Sequence, residues 1–200
     1  MTQVENKKSL RGELLARIDP IIALLKAEGA STVLSIPVSR VIVDERVRLK
    51  CQVPLCDSFH KNLMCPPFAM PVEEFRRVLG CYEEAILLQT EGLIDILNDG
   101  KPGRDVFAPA GRLHDLVNLG EREAFRAGFH FAAGLIGGCC RLCEVCVAID
   151  NSRICRFPFR ARPSMEAMGI DVVATLENAG LSLAFPVSDR VVWTGLILLQ

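Results

Sequence analysis

Eight of the nine cysteines fall in two tight groups, Cys51, Cys56 and Cys65 in C-x4-C-x8-C-P-P, and Cys139, Cys140, Cys143, Cys146 and Cys155 in C-C-x2-C-x2-C-x8-C-R-F-P. Only Cys81 stands apart. Thiolates two residues apart on a turn can converge on one centre, so the second group reads as a metal or iron–sulfur ligand set. An odd count of nine fits a disulfide framework poorly.

Within the second group, Cys140, Cys143 and Cys146 put three thiolates on one compact loop, and Cys155 returns a fourth from a more remote segment. This is the ligand logic of a [4Fe–4S] cluster, and Pro158 stands near the fourth cysteine as a proline does in bacterial ferredoxins. Gly137 and Gly138 leave room for backbone amides to approach cluster sulfurs. Four cysteines also make a zinc site, but zinc usually takes two separate C-x2-C pairs, so successive x2 spacings favour the cubane. Taking Cys139 instead of Cys140 gives C-x3-C-x2-C, the spacing of radical S-adenosylmethionine enzymes. The chain is too short for their full barrel and lacks its repeats, so Cys139 reads as a spare.

The first group leaves two readings open. Three cysteines can hold a [4Fe–4S] cluster whose fourth iron takes His60, Cys81 or an exchangeable ligand. Alternatively, three thiolates and the His60 imidazole bind zinc and brace the loop. Cys81, before Tyr82 at a helix–strand join, is expected to be a buried core thiol rather than a ligand.

Around these groups, Arg153, Arg156, Arg160 and Arg162 form either a solvated basic face or a field that raises the potential and docks an acidic partner. Arg156 adjoins a ligand and is the tuning candidate. Ser164 is expected to cap the helix that follows rather than to build a polar site with Glu166 and Asp171. His114, expected near an exposed helix start, and His130, between two phenylalanines, need no function. No nucleotide-binding glycine motif, nucleophile elbow or specific nucleic-acid surface is present.

The elements that must position the cysteines follow from periodicity. Residues 8–28 predict an amphipathic helix, peripheral to the rest, with Pro20 as a kink or a join. Thr32 to Ile36 and Val38 to Leu49 predict one or two strands delivering the chain to Cys51. Val72 to Leu79 predicts a short helix and Ala85 to Gln89 a buried strand. Residues 95–111 predict a loop, Leu113 to Ile136 a long helix stopped by Gly137-Gly138, Ala161 to Ala179 a turn and a helix, and Val191 to Leu199 a closing strand. Together these give a single α+β domain over residues 1–200, an irregular mixed sheet with flanking helices and two cysteine-rich cluster-binding loops.

At 200 residues, half of them hydrophobic, the chain can bury a core without a metal. A net charge of −1 gives no pull toward nucleic acid or membrane. The N-terminus has no apolar run of signal-peptide length, and the apolar stretches at Phe129–Cys140 and Val191–Leu199 are too short to span a bilayer. A cytoplasmic protein is expected, in a compartment where clustered cysteines bind metal.

CQVPLCDSFHKNLMCPPF, GGCCRLCEVC and CRFPFRARPSMEAMGIDV together resemble an uncharacterised cysteine-rich family of predicted metal-binding proteins. The resemblance runs from about Val47 to the C-terminus. It implies a family found largely in anaerobic bacteria and archaea, carrying iron–sulfur clusters, with no established reaction. Its motif cysteines correspond to Cys51, Cys56, Cys65, Cys140, Cys143, Cys146 and Cys155. Cys139 and Cys81 fall outside the pattern, and His60 stands where the family often has glycine. The expectation is an iron–sulfur protein with one or two [4Fe–4S] clusters, acting in electron transfer or redox support of a partner enzyme. The alternatives are an enzyme using an open iron site as a Lewis acid on a small substrate, and a non-catalytic zinc-braced interaction module.

Overall fold

Apolar residues alternate along three strands and project to both sides of one sheet. Val33, Ile86, Leu88, Ile197 and Leu199 enter one core, while Ile36, Ala85, Leu87, Leu196 and Leu198 enter the other. The period of two splits each strand between faces, and both faces must then be covered. The computed structural model describes residues 3–94, 106–183, 187 and 189–200.

The strands are β1 (Thr32–Pro37), β2 (Glu84–Leu93), β3 (Ala133–Leu135) and β4 (Arg190–Leu199), in the order β1-β2-β4-β3. Leu87 of β2 lies opposite Leu34 of β1 and Leu196 of β4, and Leu196 also faces Leu135 of β3. Among the described residues, five helices flank the sheet: α1 (Gln3–Ala27), α2 (Glu45–Leu49), α3 (Val72–Leu79), α4 (Ala108–Arg126) and α5 (Val172–Asn178). The fold is therefore α+β, as expected. Among the described residues its strand pairings are antiparallel where a mixed sheet was expected, and Ile136 and Ser164 form an isolated parallel bridge.

On one face lie Ile18, Ile21 and Leu25 of α1 with Leu113, Leu116 and Val117 of α4. Ile18 and Leu25 are fully buried, so α1 is part of the core through its C-terminal half, and truncating either costs about 2–5 kcal/mol. Pro20 sits inside this one continuous helix, and Gly29, at φ 94°, ends it. On the other face lie Phe75 and Leu79 of α3, Leu176 of α5, and Met165, Met168 and Ile170 from the preceding turn.

Several sequence expectations are met. Helix α3 spans the predicted Val72–Leu79, and β4 closes the sheet over the predicted stretch. Three are corrected. Val38 to Leu49 holds a 3-10 turn, a single bridge from Val43 to Ile170, and then α2, because the Asp44 carboxylate accepts from the Arg46 N–H at 2.8 Å and caps a helix where the alternation suggested a strand. The helix expected to Ile136 ends at Arg126, where Gly128 takes φ 91° and the chain turns to pair as β3. Of the loop expected over 95–111, residues 95–105 lie outside the described residues, and Ala108–Gly111 already form the first turn of α4, with Pro109 near its start.

Candidate metal centre

The first cysteine loop leaves α2 and folds through consecutive backbone turns. The N–H of Cys56 bonds Cys51 O at 3.1 Å, that of Phe59 bonds Cys56 O at 3.0 Å, and that of Ala69 bonds Cys65 O at 3.1 Å. Each turn thus starts or ends on a cysteine. The second loop occupies residues 137–163, and its ends are clamped. The Ile136 N–H bonds Pro163 O at 3.0 Å, and the Met165 N–H bonds Ile136 O at 2.8 Å. Ser164 caps the turn after this clamp by accepting from the Ala167 N–H at 3.0 Å, and Asp171 caps α5 by accepting from the Ala174 N–H at 3.0 Å.

Two contacts join the loops. Buried Asn62 donates from Nδ2 to Cys140 O at 2.8 Å, while its Oδ1 accepts from the Met64 N–H at 3.0 Å. The Arg153 guanidinium lies over the Phe68 ring, 4.3 Å from its centroid.

Cys51, Cys56, Cys65 and Cys139 line one cavity of about 1050 Å³, together with Glu166 and Trp193. Burial pushes the Cys65 thiol far up, and the neighbouring sulfurs of Cys139, Cys56, Cys51 and Cys140 push it further. Burial also raises Cys51, with Cys56 adding to it. In the second loop burial raises Cys140, an N–H bond from Leu142 opposes this, and Cys155, Cys143 and Cys146 lie close enough to raise it again. Cys155 Sγ accepts from the Phe157 N–H at 3.3 Å. Cys51, Cys56 and Cys65, predicted as one ligand set, thus line one cavity, while Cys140 has Cys143, Cys146 and Cys155 nearby and lies close to Cys65 as well. Among the described residues, no three or more His, Cys, Asp or Glu side chains already stand in a metal-holding arrangement. The donor set still fits a soft metal or an iron–sulfur cluster, because thiols dominate both groups and binding would take their protons.

Cys139, read as a spare, lines the cavity beside the first set. Its signal in the sequence was arithmetic, since nine cysteines divide into four, four and the outlier Cys81. Gly137 and Gly138 bring it there past Trp193. A Cβ on Gly137 would stand 2.8 Å from Thr194 O, and one on Gly138, at φ 74°, 2.7 Å from the Trp193 ring. Glu166, whose carboxylate accepts from the Gly138 N–H at 3.2 Å, is raised by burial.

The other candidates move away from the metal reading. His60 is exposed, at φ 61°, with its ring edge-on to Phe59 and Phe68. Glycine enters that backbone region freely, which gives the position a conformational requirement. Cys81 is exposed rather than buried, because α3 ends just before it, and its Sγ donates to Arg77 O at 3.8 Å. His114 is buried rather than exposed, since α4 starts five residues earlier than expected at Ala108 and turns it inward. His130 is exposed just past α4, edge-on to Phe125.

The arginines do not form one basic face. Arg156 donates to Val145 O at 2.8 Å and braces the second loop across its own turn. Arg160 pairs with Asp115 at 3.3 Å, and Arg162 Nε donates to Glu121 at 2.8 Å, tying the loop's exit to α4. His114 Nε2 donates to Arg160 O at 2.8 Å on the same exit.

No helix among the described residues is long and apolar enough to cross a membrane. No curated protein and no solved structure matches the chain. The family described as predicted metal-binding protein (DUF2284) matches residues 34–199, which include both cysteine sets, and the chain belongs to that family.

Proposed function

We propose that this metal-binding chain is an iron–sulfur protein of the reducing cytoplasm, carrying one or two [4Fe–4S] clusters and acting in electron transfer or redox support of a partner enzyme. Cys140, Cys143, Cys146 and Cys155 hold one cluster, and Cys51, Cys56 and Cys65 belong to the other. The observation that carries the reading is that Cys51, Cys56 and Cys65 line one cavity while the Asn62–Cys140 hydrogen bond holds the second cysteine loop against the first. A bound cluster supplies reversible one-electron chemistry, and two centres held close favour passage of an electron over reaction at one of them. The surface around the second set suits a protein partner, since Ile154 and Phe159 are 82% and 91% exposed. The N–H bonds to Cys155 and Cys140 would raise the potential of a centre held there.

The cavity favours a second reading. At about 1050 Å³ it is large for a cluster alone, and it places the raised Glu166 carboxyl near the first set. An enzyme with an open iron in that set, acting as a Lewis acid on a small oxygen-bearing substrate, would use this space. A spectral change confined to the first centre on adding small carboxylic acids supports this reading, and none refutes it.

The test of the leading reading is iron, acid-labile sulfide and zinc content after anaerobic purification, with an absorbance spectrum. About eight irons and eight sulfides per chain with a broad brown shoulder support two cubanes. About four irons with one zinc leave a single cluster and a zinc-braced loop, and zinc alone in a colourless protein overturns the redox reading.

A further inference from the structure

We infer that Cys139 is the fourth ligand of the first set, so that the adjacent residues Cys139 and Cys140 belong to two different metal centres. The kind of metal rests on the iron–sulfur reading above, but the pairing of Cys139 with Cys51, Cys56 and Cys65 does not.

These four side chains line one cavity, and Cys140 is not among the residues that do. Cys140 packs instead against the core between the sheet and helices α1 and α4. Cys139 thus faces the cavity while Cys140, though also near Cys65, packs into the core, and Gly138 at φ 74° allows the approach. The other fourth ligands suggested by the sequence are placed elsewhere. His60 is exposed and does not line the cavity, and Cys81 is exposed beyond α3. Asp57 and Glu166 do line it, but they offer hard oxygen to a set whose other donors are soft sulfur. Glu166 also holds the Gly138 N–H, which steadies the segment that carries Cys139.

With Cys139 included, each set contains four thiolates and one peptide bond links the two centres. No coordination position of the first centre is then left for substrate, which favours electron transfer over Lewis-acid chemistry.

The experiment is anaerobic reconstitution with iron and sulfide, and separately with zinc, of the wild-type chain and of C139S, C140S and E166Q. The readouts are metal and sulfide content and the EPR spectra of oxidised and reduced protein. The expected result is that C139S loses the first centre or converts it to a three-iron cluster in the oxidised state, while C140S loses the second and E166Q keeps both. Two zincs in the wild type and one in C139S would overturn the iron–sulfur reading and leave the Cys139 assignment standing. Full loading of C139S with unchanged spectra, or loss of the first centre in E166Q alone, overturns the assignment. A chain that takes up neither iron nor zinc overturns both. If C139S does not fold, alkylation of the wild type decides. Cys139 reacting in the metal-free but not the loaded protein supports ligation, and equal reaction in both overturns it.

Discussion

Asn62 and Cys140 lie 78 residues apart in sequence and are joined by a 2.8 Å hydrogen bond from the amide of one to the carbonyl of the other. Asn62 is buried, its second polar atom is satisfied by the Met64 N–H, and one side chain therefore fixes the first cysteine loop internally and against the second.

Replacing Asn62 with alanine leaves a part-buried carbonyl and a part-buried N–H unpaired, at a cost of about 1–3 kcal/mol. Chemical denaturation of the metal-free protein should show this loss, and metal uptake should weaken at both sets rather than one. A loss confined to one set would mean that the bond does not couple the loops.

Cys143→Ser removes a donor from the second set alone. We expect about half of the bound metal and one reducible centre to be lost, while Cys81→Ser keeps the wild-type content. Two intact EPR signals in the Cys143 variant would disprove the ligand assignment.

His60→Gly should keep the full metal content. The left-handed backbone costs a non-glycine residue about 1–2 kcal/mol, and glycine's extra freedom when unfolded returns about 0.5–1 kcal/mol of that. Stability from thermal unfolding should therefore shift by no more than about 1.5 kcal/mol. Loss of one metal per chain would make His60 a ligand after all.

His114 gives a pH dependence. Burial lowers its pKa from 6.5, outweighing the bond to Arg160 O and the nearby Asp115 carboxylate, while Arg160 and Arg162 lower it further. A folded pKa below the unfolded one means that the unfolded chain binds the proton more readily. The stabilisation is present above about pH 6.5 and is lost as pH falls through the depressed value. Denaturation midpoints measured from pH 8 to 5 should fall more steeply in the wild type than in His114→Gln, and parallel slopes would refute the effect.

How much of this was legible in the sequence depended on whether a feature was local. Helix α3 was readable because it buries one stripe along its length, and strand β4 because it ends in an unbroken apolar run buried on both faces. Val38 to Leu49 misled because its β-branched residues suggest a strand while one carboxylate, Asp44, caps a helix. The end of α4 misled because apolar residues continue at helical spacing through Phe129 and Leu135, where Gly128 turns the chain into a strand completed only by β4. The cysteine sets were legible as motifs. The placement of Cys139 beside Cys51, Cys56 and Cys65 was not, since the cavity they line forms only where two loops meet in space.

The clamp between Ile136 and Ser164 closes the second loop with backbone bonds belonging to the sheet and the turn beside it, and none of them requires a thiolate. The scaffold is consequently separable from its cargo. We therefore expect a chain stripped of metal to keep this frame, so that loading after purification calls for no refolding. On the iron–sulfur reading proposed above, damage by oxygen would then be repairable on the same molecule, because the frame does not depend on the cluster it receives.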